Sequence, residues 1–307
     1  MQKKSRTIIL NSLGALVARC LNSYERLKMY IKCWGSRGSI PVSGVDYIKY
    51  GGDTTCLEIR TKSDDIIIVD AGTGIRRLGN KLIEEKRYKY NFIFTHAHWD
   101  HLMGFPFFKP LYSKKVELNV HSCSFQNQFV ETALSRLLTP PNFPIRYSDL
   151  KAKINYLEAC STEFEIGSAT ITPIPISHPN NGCGYKFAED GKSFVFLTDN
   201  ELGFVHPGGL SYKDYMEFSE GADLLIHDAD YTPEEYETTI EWGHSVYTDT
   251  LDLALEAGVS QLGLFHLNQE RTDQQINQIV ESCRRSITEK GKNLECFAVA
   301  CDRTFTL

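Results

Sequence analysis

The hexapeptide His96-Ala97-His98-Trp99-Asp100-His101 gathers three of the nine histidines of this 307-residue chain, with an aspartate, in one place. Imidazole nitrogens and carboxylate oxygens at this density are the donor set of a divalent metal of the zinc type. The spacing suits that chemistry. The preceding run Asn91-Phe92-Ile93-Phe94-Thr95 reads as a buried strand. His96 and His98 then stand two apart at a strand end and point to one face, and Asp100 and His101 follow as the chain turns away. A hydrogen-bonded polar turn is the plainer alternative, and it explains the concentration less well.

One hexapeptide cannot supply a two-metal site, and three further residues of the right kind end apolar runs. His178 follows Ile174-Pro175-Ile176-Ser177, Asp199 follows Phe194-Val195-Phe196-Leu197-Thr198, and His266 follows Leu262-Gly263-Leu264-Phe265. Any one of them alone would be read as a satisfied core or edge residue. Taken with the hexapeptide, they point to a shared metal site.

These residues need a scaffold of strands. Cys56–Ile59 and Ile66–Asp70 read as strands joined by the polar turn 62–65, and Asp70-Ala71-Gly72-Thr73-Gly74 closes the second before a helix over Ile75–Glu85. Val116–His121 is a further strand, and Ser124–Leu138 a helix with Phe125, Phe129 and Leu137 among its apolar positions. Thr139–Pro144 must be loop. In the second half, Ala169–Ile176, Gly184–Phe187, Phe194–Leu197, Leu224–Ile226 and Gln261–His266 read as strands, and Leu294–Cys301 as the strand that closes the chain. A helix from about Thr248 to Ala257 stops at Gly258, and Thr272 with Gln275 forms a capping box that opens the last one. Two series of strands with interspersed helices predict two packed sheets covered by helices.

The composition, 42% apolar and 23% charged, is that of an ordinary globular chain. A net charge of −6 gives no general footprint for nucleic acid. Nine scattered cysteines, none spaced C-x-x-C, argue against a disulfide framework and a cysteine zinc knuckle, and for small buried residues in a reducing, cytoplasmic compartment. No apolar run is long enough to span a bilayer. Residues 1–29 stand apart as a basic extension with apolar residues at helical spacing. A docking helix, a weak membrane-surface or targeting segment, and an upstream extension all fit it, whereas a secretory signal does not. Residues 30–307 are expected to form a single domain.

Asp70-Ala71-Gly72-Thr73-Gly74, the hexapeptide, His178, Asp199 and His266 occur in the order and rough spacing of the metallo-β-lactamase superfamily, which this chain resembles across residues 31–270. The resemblance implies an α/β fold, an αβ/βα sandwich of two mixed sheets flanked by helices, with a dinuclear metal site at one edge. It implies two divalent ions, zinc first and manganese or iron(II) as alternatives. One would be held by His96, His98 and His178, the other by Asp100, His101 and His266, with Asp199 bridging both. Asp70 would hold a ligand loop, or merely stabilise its own turn. A bridging carboxylate can hold two cations about 3.5–4 Å apart, and a zinc-held water can lose its proton near a pKa of about 7.

Two further elements bear on the substrate. Leu225-Ile226-His227-Asp228-Ala229-Asp230-Tyr231 and Glu241-Trp242-Gly243-His244-Ser245 resemble those of the RNase Z-like phosphodiesterase branch, with Val246 in place of the usual threonine and Asp228 where glutamate is common. By that resemblance His244 would protonate the leaving oxygen and Asp228 would orient its imidazole, a contribution of roughly 10²–10⁴ in rate. A helix-capping histidine would look the same. The tRNA-maturing members carry a long basic arm after the third ligand strand, whereas here the chain runs from His178 through Asn181-Gly182-Cys183-Gly184 directly to Asp199. The stretches Cys33–Pro41 and Tyr50–Cys56 are similar to a bacterial cyclic-nucleotide phosphodiesterase-like subgroup. The expectation is therefore a dinuclear metal phosphodiesterase that hydrolyses a 3′,5′-cyclic nucleotide or related small phosphodiester to a 5′-monophosphate by metal-held hydroxide. Catalytic roles fall to Asp100, His244 and Asp228. Trp99, Phe105, Phe107, Phe108 and Phe143 flank the site in sequence; one or two could stack on a base, most such aromatics being core or lid packing, and Arg37 and Asn200 are candidates for phosphate contacts or for contacts behind the ligands. The alternatives are a nuclease acting on RNA or single-stranded ends, a hydrolase of another ester class, and a non-enzymatic binding module. A homodimer is expected by resemblance alone.

Overall fold

Ile66–Val69 and Leu224–Asp228 are buried at every position, the pattern of strands covered on both faces. The computed structural model, which describes residues 28–122, 127–158 and 162–307, shows what covers them. One sheet contains β1 (Tyr30–Gly35), β2 (Cys56–Arg60), β3 (Ile66–Val69), β4 (Lys89–Ile93), β5 (Glu117–Ser122) and β6 (Lys153–Glu158). The second contains β7 (Phe164–Ile166), β8 (Ala169–Pro175), β9 (Cys183–Glu189), β10 (Lys192–Leu197), β11 (Leu224–Asp228), β12 (Gln261–Phe265) and β13 (Glu295–Ala298). The last strand, β14 (Thr304–Thr306), returns to the first sheet. The orders are β14-β1-β2-β3-β4-β5-β6 and β13-β12-β11-β10-β9-β8-β7.

Each sheet is antiparallel in one half and parallel in the other: β3 to β6 run parallel in the first, β10 to β13 in the second. Between the sheets lies a core to which Ile31, Leu57, Ile67 and Ile93 contribute from one side and Phe187, Phe194, Phe196, Ile226 and Phe265 from the other. The outer face of the first sheet is covered by α1 (Ile75–Glu84), the short α2 (Trp99–Leu102) and α3 (Asn127–Leu137). The outer face of the second is covered by α4 (Tyr212–Phe218), α6 (Tyr247–Glu256) and α7 (Asp273–Glu289), with the single turn α5 (Pro233–Tyr236) near the site. This is the four-layer αβ/βα sandwich that the sequence predicted.

Several boundaries follow local chemistry. Gly258 takes φ +66° just past α6, as a helix-ending glycine does. Thr272 accepts the Gln275 N–H at the start of α7. The α3 face turned inward carries Val130 and Leu134; residues 123–126, with the expected Phe125, lie outside the described chain, as does the basic segment 1–27. Met29 is buried, and its carbonyl accepts the Leu307 N–H at 3.0 Å. The predicted closing strand Leu294–Cys301 is in fact two elements. β13 stops at Ala298, the chain turns with Asp302 at φ +67°, and Thr304–Thr306 pairs antiparallel with β1. Of the cysteines that are described, Cys33, Cys56, Cys183, Cys283 and Cys296 are buried free thiols and Cys301 is half-buried. No helix among the described residues is long and apolar enough to cross a membrane.

Candidate metal centre

In open sheets ligands gather beyond the carboxyl ends of parallel strands, and here two sheets bring such ends together. Asp70 follows β3, His96 follows β4, Asp199 follows β10, and His266 follows β12. β8 is antiparallel to β9, which is antiparallel to β10, so β8 delivers His178 to the same edge. Asp70, Asp199 and His266 all adopt left-handed backbone, at φ 60°, 53° and 53°. Such residues cost of order 1–3 kcal/mol each, and three of them at strand ends turn their side chains sharply into one space.

All seven candidate ligands converge there. His96, His98, His178 and Asp199 form one cluster, and Asp100, His101, Asp199 and His266 a second that shares Asp199. Asp199 Oδ1 lies 3.2 Å from His101 Nε2. Its Oδ2 lies 3.2 Å from His266 Nε2, 3.6 Å from His96 Nε2 and 3.8 Å from His178 Nε2. Asp100 Oδ2 lies 3.2 Å from His101 Nε2 and 3.3 Å from His266 Nε2, and accepts the Ser39 N–H at 3.0 Å.

The outer nitrogens of the rings are anchored. His101 Nδ1 meets Asp70 Oδ2 at 2.7 Å, and the same carboxylate accepts the Thr95 N–H and hydroxyl at 2.8 and 2.7 Å. Asp70 therefore holds the hexapeptide, beyond stabilising its own turn. His266 Nδ1 meets Asp230 Oδ2 at 2.8 Å, His178 Nδ1 donates to the Gly243 carbonyl at 2.8 Å, and His96 Nδ1 meets Thr95 Oγ1 at 3.1 Å. Such partners fix which ring nitrogen faces inward. His98 is turned the other way, its Nδ1 3.0 Å from His178 Nε2.

The donor set fits divalent metal. The buried Nε2 atom of His96 has no hydrogen-bond partner, although an unpaired buried polar atom is costly. Burial and the neighbouring rings hold His96 well below its usual pKa, and burial takes His178 down to about 3, so both rings are neutral and can offer an Nε2 lone pair to a cation. His101 and His266 are also pushed down by burial, but Asp199 and Asp100 more than offset it and raise both rings well above the usual value. Their protons are the ones a bound cation would displace.

A third group stands beside the two clusters. His244 Nδ1 is 2.7 Å from Asp228 Oδ2, so the shorter aspartate reaches the ring. Asp228 Oδ1 accepts the Ser245 N–H at 2.9 Å. The His244 ring is stacked on His266 at 4.4 Å and lies 5.3 Å from His178. His227 turns away, its Nε2 3.2 Å from Asn200 Nδ2.

Of the alternatives open for Arg37 and Asn200, both residues take the one that supports neighbouring backbone. Arg37 is fully enclosed; its Nε donates to the Gly51 carbonyl at 2.9 Å and its Nη1 to those of Asn268 and Arg271 at 3.1 and 2.9 Å. It ties three loops together and has no access to a phosphate. Arg37→Ala is expected to lower folding stability by about 3 kcal/mol or more, measured by denaturant midpoint, with KM of the folded fraction little changed. Asn200 is likewise enclosed, its Oδ1 accepting the Ser177 N–H at 2.9 Å beside His178. Phe105 and Phe108 are core residues, whereas Trp99 and Phe107 are exposed, at 72% and 55%. Asp230 and the Gly243 carbonyl were not legible as site residues. Gly243 does leave a signal in its type: it sits at φ +90°, and a Cβ there would come within 2.1 Å of His178 Nδ1. Gly243→Ala is therefore expected to displace His178 and to weaken metal retention roughly 10–100-fold, read by competition with a chelator.

Residues 66–267 match the family described as the Beta-lactamase superfamily domain, and the chain belongs to that family. Its relatives include a ribonuclease Z of Bacteroides fragilis (strain YCH46), 26% identical over 260 residues that cover 69% of this chain and 83% of the relative. The fold resembles that of a diphosphatase from the PhnP family, with a TM-score of 0.63 at 16% identity, covering 91% of this chain and 98% of the other. It also resembles Zn(2+)-bound PqqB from Methylobacterium extorquens, with a TM-score of 0.66 at 12% identity, covering 91% and 100%.

Proposed function

We propose that this chain is a metal-dependent phosphodiesterase acting on a 3′,5′-cyclic nucleotide or a related small phosphodiester. The observation that carries the reading is His244, held by Asp228 at 2.7 Å and stacked on His266 at the border of the two clusters. A metal-dependent hydrolase of an ester with a good leaving group has little use for such a group, whereas a ribose alkoxide needs a proton as it departs.

His96, His98 and His178 would hold one divalent ion, Asp100, His101 and His266 the other, and Asp199 would face both. When bound, the two cations supply Lewis-acid polarisation of the phosphoryl oxygens and acidify a water into a nucleophile near neutral pH. His244 delivers its Nε2 proton to the leaving oxygen, and Asp228 fixes the ring and stabilises its charged form. Zinc is the metal we favour, supported by the zinc-bound structural neighbour, and a homodimer is the assembly we expect.

The small-substrate preference is supported by the segment from His178 to Asp199. It holds only the hairpin of β9 and β10, closed by Asp190 and Gly191 at φ 49° and 75°, a two-residue turn of the kind that joins adjacent strands directly. A second reading, a nuclease acting on RNA ends, is favoured by the ribonuclease Z relative. Both are tested by product analysis with zinc- or manganese-loaded protein given cyclic AMP, cyclic GMP, bis-p-nitrophenyl phosphate and a 3′-extended RNA. Release of 5′-monophosphate, lost in His244→Ala, supports the first reading. Cleavage of RNA with inert cyclic nucleotides replaces it with the second. Protein that binds no metal overturns both.

A further inference from the structure

Glu201, two residues beyond Asp199, is 1% exposed. A carboxylate so enclosed must be compensated, and four donors surround it. Oε1 accepts from the Tyr236 hydroxyl at 2.6 Å and the Glu241 N–H at 2.9 Å. Oε2 accepts from the Gly243 N–H at 2.7 Å and from His206 Nε2 at 2.8 Å. These contacts occupy the carboxylate's lone-pair positions, and none of the four groups belongs to the metal clusters.

Three of the donors lie on one stretch, 236–243, which leads directly into His244. That stretch is strained. Glu241 and Gly243 both have positive φ, at 73° and 90°, and Glu241, unlike glycine, adopts that backbone only where surrounding contacts enforce it. The hydrogen bonds to Glu201 fall on these two residues. Gly243 also supplies the carbonyl that takes the His178 ring. On its other side, Glu201 donates its own N–H to the Ser177 carbonyl at 2.9 Å, and His206 N–H donates to Ser177 Oγ at 2.9 Å. One residue thus joins the strand end that carries Asp199, the residue before His178 and the turn before His244.

We propose that Glu201 is a positioning residue: its carboxylate clamps the 236–243 segment so that His244 and the Gly243 carbonyl are held against His178. Its effect on turnover rests on the phosphodiesterase reading above, but the clamp itself does not. In Glu201→Gln the side chain keeps its shape, yet its NH₂ must face the N–H of either Glu241 or Gly243, so at least one of the two backbone contacts is lost together with the charge. Glu201→Ala loses all four, and Tyr236→Phe removes only one.

The test combines two readouts. Hydrogen exchange over residues 236–245 should accelerate roughly tenfold in Glu201→Gln, less in Tyr236→Phe, with the other elements unchanged. Turnover of a substrate with a ribose leaving group, whichever of cyclic AMP and 3′-extended RNA the wild type accepts, should fall roughly 10–100-fold. Assayed at saturating zinc, turnover of bis-p-nitrophenyl phosphate, whose leaving group needs no acid, should fall less than about threefold, while metal affinity read by chelator competition weakens because the Gly243 carbonyl no longer fixes His178. Equal loss on both substrates, or unchanged exchange in the segment, overturns the proposal. A wild type inert on every diester defeats the functional reading instead, and the exchange measurement then decides the clamp alone. Should Glu201→Ala fail to fold, the glutamine and phenylalanine variants carry the test.

Discussion

Asp199→Asn is expected to leave the protein with less than one metal ion per chain and to lower phosphodiester turnover by roughly 10³-fold or more, the several kcal/mol that metal ions supply to such reactions. Among the described residues Asp199 alone belongs to both clusters, one oxygen 3.2 Å from His101 Nε2 and the other 3.2 Å from His266 Nε2. An asparagine keeps one acceptor and replaces the other with a donor. It also removes the negative charge that would offset repulsion between two cations about 3.5–4 Å apart. The substitution reaches the metal-free protein as well. Burial pushes His101 and His266 down, and Asp199 leads the groups that raise them well above their usual value. A histidine raised in the folded state contributes stability in full below its unfolded pKa of about 6.5 and loses it as pH rises through the raised value. The thermal deficit of metal-free Asp199→Asn should therefore be largest in mildly acidic solution and shrink as the pH rises. Metal analysis after gel filtration, with Tm against pH, checks both parts. Two ions retained at full occupancy would mean that Asp199 is not their shared ligand.

The clusters were legible because their members declare themselves locally. His96, His98, Asp100 and His101 share one hexapeptide, and His178, Asp199 and His266 each end an apolar run, so strand direction alone brings them to one edge. The residues that aim those rings leave no such mark. Asp230 reaches His266, and Glu201 reaches Gly243, only because β10, β11 and β12 lie side by side; in the sequence each is one more acid. Arg37 shows the converse. In sequence it reads equally as a phosphate contact or as a support behind the ligands, and only its enclosure by three carbonyls decides for the second. Short strands were missed for a related reason. Thr304–Thr306 offers a single inward residue, Phe305, and its place beside β1 is set by packing across the sandwich rather than by periodicity.

The second large effect concerns the proposed acid, His244. His244→Ala is expected to lower kcat roughly 10²–10⁴-fold on substrates with a ribose leaving group, and Asp228→Asn to move the alkaline limb of the pH profile downward. An acid must still hold its proton at the working pH. Burial pushes the His244 imidazole down, the Asp228 carboxylate at 2.7 Å more than offsets this, and the ring ends above its usual value although His266 opposes it. The protonated fraction therefore declines only as pH climbs through the raised value, which places His244 on the alkaline side of the kcat/KM profile. Asparagine at position 228 can accept from Nδ1 with its one oxygen only by turning its NH₂ toward the Ser245 N–H, so the ring's bond is kept at the expense of that backbone contact while the charge that raised it is lost. The alkaline limb should then fall toward neutrality, with the acid limb, set by protonation of the metal-binding rings, left in place. A profile whose alkaline limb is the same in wild type and Asp228→Asn would remove His244 from the role of proton donor. The alanine variant would then report only the loss of a ring packed against His266.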